Sequence, residues 1–190
     1  MKFIRTEIPE VVIVEPEVHG DERGYFVETF RQDRLEEFLG HRVDFCQDNE
    51  SKSGRGVLRG LHYQLGEASQ SKLVRVITGR VLDIAVDIRK GSPTFGQHVS
   101  LELNAEDKKQ LFVPRGFAHG FLVLEDDTIF AYKVDNYYSP ENDRGIAFND
   151  PSLHIDWKME SGELSLSAKD GKQPLLKDAE LFDYKVNLYA

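Results

Sequence analysis

The chain has 190 residues, of which 40% are hydrophobic and 30% charged, and its formal net charge at pH 7 is −9. This composition indicates a soluble folded protein and excludes a disordered chain. The acidic balance argues against nucleic-acid binding, and no apolar run approaches the ~20 residues that cross a bilayer. Cys46 is the only cysteine, which excludes an internal disulfide and fits a reducing cytoplasm.

The first part of the chain predicts three strands, one helix and a polar loop. The strands are expected at 11–16, 24–30 and 43–49, the helix at 31–39, a turn at 19–24 and the loop at 50–56. The helix places Leu35, Phe38 and Leu39 on one side and is expected to end at Gly40.

The stretch VLRGLHYQ at residues 57–64 places a cation and an imidazole inside an expected strand. Arg59 and His62 are three residues apart, so regular alternation would send them to opposite faces. Gly60 lies between them, and glycine inside a strand often marks a bulge that redirects its neighbours. We interpret the stretch as a strand that brings Arg59 and His62 into one cavity. The alternative is an ordinary strand with an outward Arg59 and a hydrogen-bonded core His62.

Six further strands are predicted in the middle of the chain, each bounded by Gly, Pro, Asp or Asn. They are expected at 72–78, 80–88, 98–104, 109–114, 117–124 and 128–134. The first two flank Gly79 and predict a hairpin, because Leu82 and Ile84 alternate with Asp83. Beyond residue 134 the chain is turn-rich, with one possible short helix near 177–184.

Many short strands and one helix indicate an all-β sandwich, jelly roll or barrel with a few short peripheral helices. We expect a single domain over 1–190. Within it, residues 1–50 hold the N-terminal strands and the helix, 51–134 form the barrel, and 135–190 form the turn-rich C-terminal part.

Residues 113–121, VPRGFAHGF, resemble the second motif of the cupin superfamily through Pro114, Gly116 and His119. The cupin fold is a double-sheet jelly roll. Metal-binding cupins also carry a His-x-His pair, whereas this chain reads His-Tyr-Gln from residue 62. Two histidines without a carboxylate in register are a poor ligand set for zinc, iron or manganese. We therefore expect a cupin-like barrel without a metal.

A barrel without a metal works by acid–base and electrostatic catalysis. The candidate residues are His62, Lys72, His119, Tyr132 and the pair Lys169–Asp170. A histidine is the commonest base near neutral pH and works best beside a carboxylate, which Asp170 in its polar loop is able to supply. Taken alone, Tyr132 is better explained as a core tyrosine and Lys72 as an exposed strand end.

Aromatic and cationic residues also suit a nucleotide ligand. Tyr137 and Tyr138 stand together in a turn and offer a face for base stacking, which is worth about 1–3 kcal/mol per base. Arg23, Arg59 and Lys169 are suited to a diphosphate. Taken singly, each cation is better explained as a solvated surface charge, and the paired tyrosines are equally explained as a turn cap.

Eight segments together resemble the dTDP-4-dehydrorhamnose 3,5-epimerase family over nearly the whole chain. In order they read GDERGYFVETF, FCQDNESKS, VLRGLHYQ, KLVRV, VDIRKGSPTFG, VPRGFAHGF, AYKVDNYYSP and LSAKD. The resemblance implies a jelly-roll homodimer that has no metal or organic cofactor, and the single cysteine fits a cytoplasmic protein. It also implies conversion of dTDP-4-dehydro-6-deoxy-D-glucose to dTDP-4-dehydro-L-rhamnose, a step in making activated L-rhamnose.

The resemblance assigns roles to individual residues. His62 is implied as the proton acceptor with Asp170 behind it, Tyr132 as the proton donor on the opposite side of the ring, and Lys72 as the group that stabilises the enolate. The implied substrate contacts are Arg23, Phe26, Glu28, Gln47, Asp48, Asn49, Arg59, His119, Tyr138, Asp143 and Lys169. Because N-terminal strands pair with the partner subunit in this family, Arg23, Phe26 and Glu28 are expected to serve the neighbouring cavity.

The match departs from the family at two site positions: His19 replaces a common phenylalanine, and Asp143 replaces a common glutamate. Other functions stay open. One is a relative that inverts a single carbon, or shifts the ketone, of a similar dTDP-4-keto sugar. A second is a metal-dependent cupin oxygenase or isomerase, and a third is a sugar-binding module without turnover.

Overall fold

A computed structural model describes residues 1–190, and β-strands make up most of its regular structure. The strands are β1 (Lys2–Arg5), β2 (Val12–Glu15), β3 (Val18–Asp21), β4 (Gly24–Val27), β5 (Gln47–Ser53), β6 (Leu58–Gln64), β7 (Lys72–Thr78), β8 (Arg80–Asp87), β9 (Arg89–Lys90), β10 (His98–Asn104), β11 (Gln110–Val113), β12 (Phe117–Val123), β13 (Thr128–Val134), β14 (Asp143–Gly145) and β15 (Phe182–Asp183). The single α-helix, α1, spans Gln32–Leu39. Short 3-10 turns lie at Gly66–Ala68, Ser161–Glu163, Asp170–Lys172 and Leu176–Asp178.

Two antiparallel sheets form the barrel. The six-stranded sheet has the order β1-β2-β11-β7-β13-β5, and the five-stranded sheet has the order β10-β8-β12-β6-β14. The two sheets meet through a cluster of 14 buried apolar residues, with Val74 and Phe130 from one sheet and Ala85 and Phe121 from the other. Burying each large side chain of this kind contributes about 1.5–3 kcal/mol. The predicted all-β jelly roll is therefore confirmed.

The outer face of the five-stranded sheet is covered by the C-terminal part of the chain. A cluster of 15 buried apolar residues joins Leu82 and Ile84 of β8 to Trp157, Leu176 and Phe182. Strand β8 is therefore buried on both faces, and every residue from 81 to 87 is buried. A charged side chain on β8 must consequently find a partner inside the protein.

Several predicted elements differ from the structure. The strand expected at 43–49 begins at Gln47 and continues to Ser53, through residues expected to form a loop. It is an edge strand paired with β13 on one side only, which tolerates polar residues. The strand expected at 24–30 ends at Val27, and an additional strand, β1, pairs with β2. The helix expected near 177–184 is wrong, since this stretch holds a 3-10 turn and the two-residue β15.

The hairpin predicted from 72–78 and 80–88 is also wrong. Strand β7 belongs to the six-stranded sheet and β8 to the five-stranded sheet, so the chain crosses between sheets at Gly79. Gly79 has a φ of +80°, and a Cβ there would lie 2.2 Å from Thr128 Oγ1. Two adjacent strands on different sheets show the same alternation as two strands of a hairpin, so the pattern alone does not separate them.

The bulge predicted at Gly60 is present. On β12, His119 and Phe121 are two residues apart. The residues opposite them on β6, His62 and Arg59, are three residues apart. Strand β6 therefore holds one extra residue, and Arg59 and His62 line the same cavity. Gly60 has a φ of +133°, and a Cβ there would lie 2.5 Å from Gly120 Cα.

We expect Gly60→Ala to lower the free energy of unfolding by about 3 kcal/mol or more, because the new methyl group collides with backbone atoms and the φ is unsuitable. Urea denaturation measures this change. Gly162→Ala is the matched control, since no atom lies within 4 Å of the added Cβ. Equal stability of the two variants would show that the close approach of β6 and β12 is not required.

Candidate active site

A cleft between the two sheets collects most of the predicted site residues. A cavity of about 410 Å³ is lined by Asn49, Glu50, Ser51, Arg59, His62, Lys72, His119, Phe121, Tyr132, Ser167, Lys169 and Asp170. A cavity of about 310 Å³ shares five of these residues with it and adds Gln47, Tyr63, Gln64, Gln70, Tyr138 and Asp143. Because the two cavities share lining residues, we describe them together as the cleft.

His62 and Asp170 form a hydrogen-bonded pair in the cleft. Nε2 of His62 lies 2.5 Å from Oδ1 of Asp170, and Ser167 Oγ donates to Oδ2 at 2.8 Å. Burial raises the pKa of Asp170, but the hydrogen bonds from His62 and Ser167 outweigh it, so the net shift is downward. Asp170 is therefore an ionised carboxylate that holds the His62 proton on Nε2. The lone pair of Nδ1 is then the basic position of the ring.

Lys72 lies near a buried carboxylate–histidine pair. His119 Nε2 lies 3.0 Å from each carboxylate oxygen of Asp83, whose side chain is fully buried. Burial lowers the pKa of His119 against the opposing effect of Asp83. Burial also lowers the pKa of Lys72 to about 8, although Asp83 and Asp143 act in the opposite direction. Lys72 is thus a poorly solvated cation held near two carboxylates.

Tyr132 projects from β13 into both parts of the cleft. Its ring lies 6.1 Å from that of Phe130, so one side packs on the barrel core. Its hydroxyl makes no hydrogen bond within the chain. Burial raises the pKa of Tyr132 and Arg59 opposes this, with a net upward shift. The phenol is therefore protonated at neutral pH and free to donate.

The outer part of the cleft has an exposed aromatic ring and a cation near one carboxylate. Tyr138 is 59% exposed, and its hydroxyl donates to Asp143 Oδ2 at 2.9 Å. Lys169 Nζ pairs with the same oxygen. The backbone N–H of Tyr138 donates to Gln47 Oε1 at 3.3 Å. This arrangement presents a flat ring beside positive charge, as a nucleotide requires.

Two residues that shape the cleft were not predicted from the sequence. Asp83, which anchors His119, reads in the sequence only as a polar residue of an alternating strand. A carboxylate between the apolar residues Leu82 and Ile84, in the middle of an expected strand, is the signal that identifies it. Gln64, at the end of β6, is buried and holds the turn before β14: its Oε1 accepts the Ser139 N–H at 2.6 Å.

Asp48 does not enter the cleft, unlike its neighbours Gln47 and Asn49. Strand β5 alternates, so Asp48 faces the outer side of the six-stranded sheet, where it pairs with Lys133 at 2.9 Å. It lines a groove of about 270 Å³ on that outer side, which borders the cleft at Asn49, Glu50 and Tyr132. Asp48 therefore lies outside the lining of this cleft, and its contact with substrate stays a prediction from the resemblance.

Arg23, Phe26 and Glu28 also lie outside the cleft of their own chain. Arg23 and Phe26 line a groove of about 390 Å³ on the β3–β4 hairpin, where Arg23 pairs with Asp21 at 2.5 Å. Glu28 pairs with Arg31 at 3.8 Å. The cleft thus contains the four predicted catalytic residues and seven of the eleven predicted contacts, whereas these three residues and Asp48 lie outside its lining.

Two further observations concern the whole chain. No three His, Cys, Asp or Glu side chains are grouped so as to hold a metal ion. No helix is long and apolar enough to cross a membrane.

Comparison with known proteins gives a consistent result. The family model described as dTDP-4-dehydrorhamnose 3,5-epimerase matches residues 5–178. The protein of that name from Shigella flexneri is 53% identical, over 96% of this chain and 99% of its own length. The protein of that name from Salmonella typhimurium is 54% identical, over 95% of this chain and 98% of its own length.

Two solved structures of sugar-nucleotide epimerases are also similar to this chain. A Legionella pneumophila dTDP-6-deoxy-D-glucose-3,5-epimerase in complex with dTDP-4-keto-L-rhamnose has a TM-score of 0.92 and 49% identity, with 97% of this chain and 99% of that chain covered. A 3'-monoepimerase from Streptomyces bikiniensis in complex with dTDP-quinovose has a TM-score of 0.88 and 33% identity. The match covers 95% of this chain and 93% of that chain.

We expect the Lys72 ammonium to titrate at about pH 8 instead of its ordinary value of 10.5. Asp83→Asn should lower this pKa further, because it removes a nearby negative charge that favours the ammonium. NMR of the lysine side chains measures the titration, with Lys72→Arg assigning the signal. Asp178→Asn, at an exposed carboxylate, is the control.

The same shift affects stability. Between pH 8 and 10.5 the unfolded chain binds more protons at Lys72 than the folded chain does, so stability should rise with pH across this window. The unfavourable contribution of Lys72 is fully present below pH 8. A Lys72 signal that titrates at the ordinary lysine value would contradict the enclosed cation.

Proposed function

The chain belongs to the dTDP-4-dehydrorhamnose 3,5-epimerase family, and on this premise we propose that His62, Tyr132 and Lys72 carry its reaction. The reaction is the epimerisation of dTDP-4-dehydro-6-deoxy-D-glucose at C3 and C5 to dTDP-4-dehydro-L-rhamnose, in L-rhamnose nucleotide biosynthesis. The observation that carries the residue assignment is that His62 and Tyr132 come from opposite sheets and line one cleft.

The chemistry requires a base and an acid on different faces of the sugar. The C4 ketone acidifies the protons on C3 and C5, and loss of either gives an enolate with its charge on the C4 oxygen. His62 accepts the proton at Nδ1, and Asp170 stabilises the imidazolium that forms. A base acting alone would tend to return the proton to the face from which it came.

Tyr132 supplies the proton to the other face. Its hydroxyl is protonated and unpaired, so donation breaks no hydrogen bond of the resting protein. After one inversion the pair stands as imidazolium and phenolate, and exchange with solvent restores both. Each inverted carbon therefore carries one hydrogen from water.

Lys72 stabilises the enolate oxygen. A single donor aimed at a developing oxyanion lowers a barrier by about 2.7–4 kcal/mol. Lys72 suits this role because its ammonium is poorly solvated, which strengthens its attraction for a new charge. The Asp83–His119 pair behind it supplies the counter-charge that keeps Lys72 protonated at neutral pH.

We assign the remaining cleft residues to the nucleotide and the sugar. Tyr138 stacks on the base, and Arg59 and Lys169 bind the diphosphate. The other proposed contacts are Gln47, Asn49, His119 and Asp143. Asp143, shorter than the usual glutamate, is the common partner of Tyr138 and Lys169, so it orients both groups.

We further propose that the cytoplasmic protein is a homodimer whose N-terminal residues complete the partner's cleft. The β3–β4 hairpin is exposed over nearly its whole length, and Tyr25 and Phe26 are 63% and 70% exposed. Two adjacent exposed rings beside Arg23 mark an interaction surface. A second copy is the favoured partner because Arg23, Phe26 and Glu28 are substrate residues by resemblance and lie outside their own cleft.

The alternative is inversion at one carbon only, which the likeness to the Streptomyces bikiniensis 3'-monoepimerase favours as the second candidate. One experiment separates them. We expect the wild-type protein, given the 4-keto sugar nucleotide in D2O, to place deuterium at both C3 and C5, as read by NMR. Deuterium at one carbon would indicate a mono-epimerase, and binding without incorporation would indicate a module without turnover.

The same assay tests the residue roles. We expect His62→Asn to reduce incorporation at both carbons by about 10³-fold or more, because the base is removed. Tyr132→Phe should retain exchange while losing net inversion. His154→Asn and Tyr137→Phe are the controls, since both side chains lie outside the cleft lining. A nearly active His62→Asn variant, or equal loss of exchange and inversion in Tyr132→Phe, would refute these roles.

Hybrid dimers test the shared cleft. Arg23→Ala and His62→Asn proteins should each be weakly active alone, whereas refolding them together should restore roughly a quarter of the wild-type rate. Half of the dimers are then hybrids, and each hybrid has one cleft with an intact His62 and an intact Arg23 from its partner. No gain on mixing would show that Arg23 serves its own chain. Arg55→Ala mixed with His62→Asn is the control.

A further inference from the structure

The end of the chain is tied to three strands by a closed ring of hydrogen bonds. Tyr189 Oη lies 2.7 Å from Ser71 Oγ and accepts the backbone N–H of Arg115 at 2.9 Å. Asp135 closes the ring, since Oδ1 accepts the Ser71 N–H at 2.6 Å and Oδ2 accepts Arg115 Nε–H at 3.0 Å. We call these four residues the C-terminal latch.

Ser71 and Asp135 form the buried part of the latch, and Arg115 and Tyr189 are partly buried. Ser71 is fully buried, and the Asp135 side chain is 1% exposed. The Arg115 guanidinium lies 5.1 Å from the centre of the Tyr189 ring and donates to the Leu188 carbonyl at 2.8 Å. Tyr189 Oη thus accepts from Arg115 and shares a second hydrogen bond with Ser71 Oγ, in which either hydroxyl is able to donate. Loss of this hydroxyl would leave buried groups without a partner.

The latch surrounds the backbone of Lys72. Ser71 immediately precedes Lys72 at the start of β7. In the six-stranded sheet, Lys72 pairs with Val134 on one side and Val113 on the other. Asp135 follows Val134, and Arg115 lies two residues after Val113, so the latch joins the ends of all three strands beside Lys72.

We propose that Tyr189 is a positioning residue that sets the placement of Lys72 and, through it, the rate of the chemical step. This inference rests on the proposed function, in which Lys72 faces the enolate oxygen. A small displacement of a cationic donor weakens the transition state more than the bound substrate, because the charge on oxygen develops only during the reaction. The nucleotide is bound by other residues of the cleft, so its affinity should change little.

The first test compares two tyrosines near the end of the chain. We expect Tyr189→Phe to lower kcat about tenfold with KM within about twofold of wild type, since only transition-state stabilisation is lost. Ser71→Ala, which removes the partner oxygen, should do the same. Tyr184→Phe is the matched control, because the Tyr184 ring is exposed, packs on Arg89, and its hydroxyl makes no hydrogen bond within the chain. Thermal unfolding midpoints verify that each variant is folded.

The second test asks whether Tyr189 acts through Lys72. In a Lys72→Met background, Tyr189→Phe should reduce the rate of deuterium incorporation no further, because the group it positions is absent. An equal fall in both backgrounds, or a Tyr189→Phe variant with the kcat of Tyr184→Phe, would overturn the latch. A wild-type protein that turns over no dTDP-4-keto sugar would instead overturn the proposed function itself.

Discussion

The close approach of Gly60 and Gly120 is the constraint on which the rest of the site depends. A side chain at either position would collide with the backbone of the facing strand, so β6 accommodates one extra residue beside β12 only because both positions are glycine. That extra residue brings Arg59 to the side of the sheet that His62 occupies. The His62 imidazole lines the cleft between the sheets, and Tyr132 of the opposite sheet lines the same cleft.

Placing charge inside a barrel requires compensation, and the cleft provides it in pairs. Asp170 and Ser167 support His62, while Asp83 supports His119 and the nearby Lys72. An unpaired ion at any of these positions would be costly to bury. The same lack of solvent that makes burial costly makes Lys72 effective towards a charge that forms during the reaction. Stability and chemistry therefore place opposite demands on the same side chains.

The sequence predicts the barrel and the inner part of the cleft well, because these depend on local pattern. Alternation locates the strands, Gly60 identifies the bulge, and the polar loop around Asp170 identifies the partner of His62. The failures arise where local pattern is ambiguous. An edge strand tolerates the polar residues of 50–53, and the alternation on either side of Gly79 is the same for a hairpin and for a crossing between sheets.

The most direct measurement is a crystal structure of the His62→Asn protein with bound dTDP-4-keto-6-deoxy sugar. We expect residue 62 and the Tyr132 hydroxyl to lie on opposite faces of the hexose, each within about 3.5 Å of the reacting carbons, with Lys72 Nζ at the C4 oxygen. A hexose bound with both groups on one face, or bound outside the cleft with Tyr132 packed against hydrocarbon, would contradict it.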